Sequence, residues 1–153
     1  MHGTIVCGVT DGAEGRAAAQ LAAALAARLG LRLVLVHVVA GEPPDGHRDA
    51  TEKHRQVGVE RPLEAIAREL CADAETRIVV GNRVDGLAQV AAEEGADVIV
   101  LGSRPRGARG RQLRCTLARD LEAATVVPVL IAPPATRERS GRRLSLAEPA
   151  SVR

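Results

Sequence analysis

A doubly wound α/β domain, with five parallel strands and helices on both faces of the sheet, is the fold this sequence predicts. Two observations carry that prediction. Short runs of Val, Ile and Leu alternate along the chain with Ala- and Leu-rich stretches of helical spacing. The runs are apolar on both faces, as strands are when helices cover a sheet from either side. Right-handed crossovers then wind the chain in both directions across the sheet.

The elements follow in order. Thr4 to Val9 is a short apolar run that reads as a buried strand, and Thr10, Asp11 and Gly12 supply turn chemistry after it. Ala13 to Leu29 is a helix whose Leu21, Leu25 and Leu29 recur every four residues, and Gly30 is placed to end it. Leu31 to Val39 is the second strand, followed by a polar loop over 40–51. Thr51 to Leu70 reads as a helix with Val59, Leu63, Ile66 and Leu70 on its inner face and a break near Pro62. Thr76 to Val80 is the third strand and Val84 to Glu94 the third helix, stopped by Gly95. Asp97 to Leu101 is the fourth strand. A Gly- and Arg-rich loop leads from it to a fourth helix, Gln112 to Ala124, and a fifth strand, Pro128 to Ala132. The domain therefore spans 1–133. Residues 134–153, rich in Arg, Ser, Glu and Pro without periodicity, read as a disordered tail.

Composition narrows the function. The 153 residues include no Phe, Tyr or Trp, so the core is aliphatic and bases cannot be stacked on aromatic rings. Specific nucleic-acid binding is not expected, and the Arg-containing tail offers at most salt-sensitive, nonspecific contact. The net charge of +2 is unevenly spread: residues 1–103 carry 10 basic and 15 acidic groups, whereas 104–133 carry 6 and 2. Five arginines, at 104, 106, 109, 111 and 114, crowd the loop after the fourth strand, and such a cluster suits a phosphate. A solvated surface is the plainer reading of the same charges. No apolar window reaches transmembrane length and no secretory leader opens the chain, so a cytoplasmic protein is expected.

Several other chemistries are weak here. Cys7, Cys71 and Cys115 have no metal-ligand spacing and suggest no disulfide framework. Cys7 and Cys71 read as packing positions. Cys115, near a helix start with Arg111 and Arg114, has the setting of a reactive thiol but also that of a small buried hydrophobe. His37 interrupts the second strand and reads as a partly buried side chain bonded to a backbone group. His47 and His54 are too sparse for a metal site. Neither a Walker P-loop, a dinucleotide Gly fingerprint nor a G-x-S-x-G elbow occurs.

Taken in order, Ile5 to Gly12, Ala17 to Ala22, Leu33 to Val38, Gly95 to Ser103 and Val127 to Ala132 resemble the universal stress protein family over about 3–133. That resemblance implies an adenine nucleotide alpha hydrolase-like sheet of order 3-2-1-4-5. Strands one and four are then neighbours whose connections leave in opposite directions, which opens a crevice at their carboxyl ends. In ATP-binding relatives the adenine lies near the first strand and the phosphates in the loop after the fourth. Carried onto this chain, the candidate nucleotide-binding residues are Thr10, Asp11, Val38, Gly102, Ser103, Arg104, Arg106, Gly107, Cys115 and Thr116.

The family's phosphate motif is a Gly, two residues, a second Gly, nine residues, and a final Gly followed by Ser or Thr. Here Gly102 fills the first position, Pro105 the second, and Cys115-Thr116 the last pair. Two of three glycines are replaced, and Pro105 removes an N–H donor. The Asp expected directly after the first strand is Thr10, with the carboxylate one residue later at Asp11. Two readings stay open. One is a regulatory module with a degenerate crevice for ATP, ADP or AMP, its only metal a nucleotide-associated Mg. The other is a dimeric scaffold without nucleotide, acting through protein contacts in the stress response. No residue is an evident general base for phosphoryl transfer, so at most slow ATP hydrolysis is expected. The resemblance also implies a homodimer through the last strand, whose Val127, Val129 and Ile131 would line an apolar edge.

Overall fold

The computed structural model describes residues 3–10, 12–41, 63–70, 73–103 and 116–134. Strands β1 (Thr4–Gly8), β2 (Arg32–Val39), β3 (Glu75–Val80), β4 (Val98–Gly102) and β5 (Val129–Ala132) form one sheet of order β3-β2-β1-β4-β5. Every pairing is parallel. Helix α1 (Ala13–Leu29) and a helical segment at 63–70, here α2, pack on one face. Helices α3 (Arg83–Glu93) and α4 (Thr116–Ala124) pack on the other. The expected doubly wound architecture and strand order are both present.

The two core layers follow from strand alternation. Ile5, Cys7, Leu33 and Leu35 point into the α1/α2 layer, while Val6, Val34, Val36 and Ile99 point into the α3/α4 layer. All eight are buried, which accounts for strands that read as continuous apolar runs. Leu63 is buried, with Ile66 and Leu70 half-buried beside it, as the spacing of α2 predicts. Val59, the Pro62 break and the polar loop beyond Gly41 lie outside the described residues.

Helix α1 departs from expectation in its buried face. The residues it buries are Gly15, Ala18, Ala19, Ala22, Ala23 and Ala26. Leu21 and Leu25 pack at the margin of the core and Leu29 is 63% exposed. A stripe without bulk beyond Cβ lets the helix axis approach the sheet, so the small residues take the centre and the leucines flank it. Gly30, left-handed at φ 65°, ends the helix as predicted, with its N–H on the Ala26 carbonyl. Asn82 caps α3, its side-chain oxygen accepting from the Val84 N–H at 2.8 Å.

Strand β4 begins one residue later than expected because Asp97 has another role. Its carboxylate accepts the Thr4 N–H at 2.7 Å and its own N–H donates to the Thr4 carbonyl at 2.9 Å. These bonds tie the amino ends of β1 and β4 and fix the pairing that sets up the opposite, carboxyl edge.

Candidate functional site

At the carboxyl edge, β1 and β4 lie side by side, with Cys7 opposite Val100. The chain leaves β1 for α1 on one face, and after β4 it reaches α4 on the other. This is the topological switch point at which open α/β sheets form a ligand crevice.

Two glycines draw the rim together. A Cβ on Gly15 would stand 1.9 Å from the Thr10 carbonyl oxygen, and one on Gly102 would stand 2.6 Å from the Glu14 carbonyl oxygen. The backbone after β1 therefore lies against the first turn of α1, and that turn lies against the end of β4. Such approaches exclude any side chain beyond hydrogen. Gly102 thus has a packing duty of its own at this rim. Among the described residues no side-chain cap hydrogen bond covers the first turn of α1, whose N-cap is Gly12 at φ 115°.

Ser103 follows directly. Its Oγ is buried and has no hydrogen-bond partner among the described residues. A buried hydroxyl without a partner carries a cost of about 1–3 kcal/mol, and a ligand that bonded it would remove that cost. Thr10 stands exposed on the opposite rim.

Val38 turns its peptide, and not its side chain, toward β1 at the carboxyl edge. The side chain is half-buried under α3, where a Cβ on Gly86 would meet its Cγ2 at 3.2 Å. The Val9 N–H donates to the Val36 carbonyl at 2.8 Å, so the peptide groups of Val36 point toward β1. Two residues on, those of Val38 point the same way, beyond the last residue of β1.

His37 was expected to be a partly buried side chain bonded to backbone, and it is. Its Nδ1 lies 2.8 Å from the Val9 carbonyl oxygen. Sequence reasoning did not single out Glu14 or Gly15. A glycine in the first turn of an otherwise Ala-rich helix was their one visible signal.

The structure therefore gathers Thr10, Val38, Gly102 and Ser103 at one end of the sheet. Thr116 opens α4. Asp11, Arg104, Arg106, Gly107 and Cys115, with the remaining arginines of that loop and Pro105, lie outside the described residues. Among the described residues no group of three or more His, Cys, Asp and Glu could hold a metal ion. Nor is any described helix long and apolar enough to cross a membrane. Cys7 is the one cysteine described. Burial pushes its thiol up to about 12, which leaves it un-ionised and inert near neutral pH.

Comparison with known proteins agrees with this geometry. Residues 1–133 match the universal stress protein family, and the chain belongs to it. Its fold is similar to that of a universal stress protein from Archaeoglobus fulgidus, with 20% identity and a TM-score of 0.67 over 87% of this chain and 95% of that one. It is also similar to a universal stress protein in complex with cAMP, with 23% identity and a TM-score of 0.67 over 86% and 97% of the two chains. A universal stress protein from Archaeoglobus fulgidus in complex with dAMP gives 20% identity and a TM-score of 0.63 over 87% and 98%. No curated protein matches the chain.

Proposed function

We propose that this protein is a cytoplasmic regulatory module of the stress response that takes an adenine nucleotide into the crevice between β1 and β4. The observation that carries the reading is the buried Ser103 Oγ at the switch point, which has no hydrogen-bond partner among the described residues. It is a hydroxyl positioned for a phosphate or ribose oxygen, next to the close-packed Gly102. The relatives in complex with cAMP and dAMP support an adenine ligand. In this reading Thr10 or Asp11 meets the adenosine, and the Val38 peptide binds the base. Arg104 and Arg106 stand in for the backbone donors lost at Pro105 and Cys115, with Gly107 and Thr116 completing the phosphate loop. Mg, if present, arrives with the nucleotide. Turnover beyond slow hydrolysis is not part of the function.

A second reading is a scaffold without nucleotide that acts as a homodimer through β5. Pro105 and Cys115 at motif glycine positions favour it. So does an exposed apolar edge, with Leu130 40% and Ile131 47% accessible.

The absence of Trp and Tyr separates the two. Such a chain hardly absorbs in the near ultraviolet, so adenine released from gently purified, then denatured protein dominates the spectrum. About one adenine nucleotide per chain, lost in Arg104→Ala or Arg106→Ala, is the expected result. A protein that releases nothing, and whose melting temperature ATP leaves unchanged, would leave only the scaffold.

A further inference from the structure

Regular parallel pairing continues beyond Gly8. Val9 donates its N–H to the Val36 carbonyl, so the next rung of the ladder would run from the Val38 N–H to the Val9 carbonyl. That rung is missing among the described residues: the Val9 carbonyl is met instead by Nδ1 of His37, at 2.8 Å. A carbonyl can only accept, so Nδ1 carries the proton and the neutral ring is the Nδ1–H tautomer.

We infer that His37 is a positioning residue of the crevice: its imidazole occupies the Val9 carbonyl, parts β1 from β2 one bond early, and leaves the Val38 peptide to the ligand. Two further observations fit. The Val38 side chain is held under α3 by the close approach of Gly86, so its peptide direction is fixed. The Thr10 backbone beyond Val9 is pinned on the first turn of α1 through Gly15. These contacts aim the Val9 carbonyl and the Val38 N–H at each other across the missing rung without fixing the distance between them. Without the imidazole, the Val9 carbonyl and Val38 N–H would close on each other, because neither has another partner among the described residues.

This role rests on the nucleotide reading above, and the test separates the two. Asn carries its amide nitrogen at the same bond count from Cβ as Nδ1, whereas Gln reaches one bond further and Leu donates nothing. The Val38 amide is expected to exchange rapidly with solvent deuterium in the wild type and in His37→Asn. It should be protected about tenfold or more in His37→Leu and His37→Gln. Nitrogen NMR of the wild type should show the Nδ1–H tautomer. With AMP as the probe, affinity should fall about tenfold in His37→Leu and be retained in His37→Asn, while the melting temperature of His37→Leu stays level or rises. An Nε2–H tautomer, a Val38 amide already protected in the wild type, or equal AMP affinity in wild type and His37→Leu would overturn the role. If the wild type binds no AMP, the nucleotide reading falls, and the exchange and tautomer results still decide whether His37 holds the edge open.

Discussion

Glycine inside a helix ordinarily weakens it, and replacing it by Ala gains about 0.5–1 kcal/mol. Gly15 should reverse that sign. The added Cβ would sit 1.9 Å from the Thr10 carbonyl oxygen, a backbone atom that cannot swing aside as a side chain can. Gly86 offers the contrast: its Cβ would meet Val38 and Val79 methyl carbons at 3.2 Å, which give by small adjustments. Gly15→Ala is expected to lower stability by about 1–3 kcal/mol, the range of overpacked sites, and to weaken nucleotide binding by displacing Thr10. Gly86→Ala should stay within about 1 kcal/mol of the wild type. Urea unfolding midpoints compare the two. An equal loss in both variants would mean that the rim backbone is not fixed by the Gly15 approach.

At the scale of elements, α3 presents a problem that the sheet solves. The helix ends in Glu93 and Glu94 with no basic residue in its last turn, so two carboxylates stand at the negative end of its dipole. Arginines from the amino ends of β2 and β3 answer them. Arg32 bonds Glu75 at 2.6 Å and Glu94 at 2.7 Å, and Arg77 bonds Glu93 at 2.7 Å and Glu94 at 2.9 Å. The result is a chain of five charges that clamps α3 to two strands, with Glu94 shared by both arginines. The Arg32 guanidinium holds the Glu75 carboxyl below its ordinary range. The Gln89 amide and then Arg77 do the same for Glu93. Arg77→Ala should cost about 0.5–1 kcal/mol, more than Arg68→Ala, whose carboxylate partner among the described residues is Glu64 at 3.8 Å on an exposed helix face. Because the folded carboxylates titrate lower than unfolded ones, the contribution is complete above about pH 5. It is lost as pH falls through the depressed folded values. The gap between wild type and Arg77→Ala should therefore close in acid and narrow in high salt. A gap that is unchanged at low pH would remove the charge account.

For the whole molecule, the open question is what covers β5. It lies at one end of the sheet, and Val126, Leu130 and Ile131 are exposed there. The expectation from sequence named Val127, Val129 and Ile131. Of these only Ile131 is exposed, since Val127 and Val129 pack into the α3/α4 layer. Alternation then turns Leu130 to the other face, so the edge is apolar on both sides of the sheet. An edge of that kind invites pairing with a second copy. Sedimentation should find a dimer in the wild type and a monomer in the Leu130→Lys, Ile131→Lys double variant, with urea unfolding little changed per chain. A monomeric wild type at micromolar concentration would overturn this assembly.

The sequence by itself determined the sheet. Uninterrupted apolar runs must be buried on both faces, and the glycines at 30 and 95 end their helices locally, where the signal lies in neighbouring residues. It also marked Thr10, Gly102 and Ser103 as rim residues, since they directly follow strands. Tertiary structure alone decided how the rim is held. Gly15 matters because the Thr10 backbone folds back onto it, and Gly102 because a helix turn 88 residues earlier rests on it. His37 matters because the carbonyl it meets belongs to another strand. The buried face of α1 was likewise undecidable from spacing, as both an Ala stripe and a Leu stripe recur at helical intervals. Only the distance between helix and sheet selects the smaller residues. Contacts between segments remote in sequence leave no local pattern to read, and the crevice is made of such contacts.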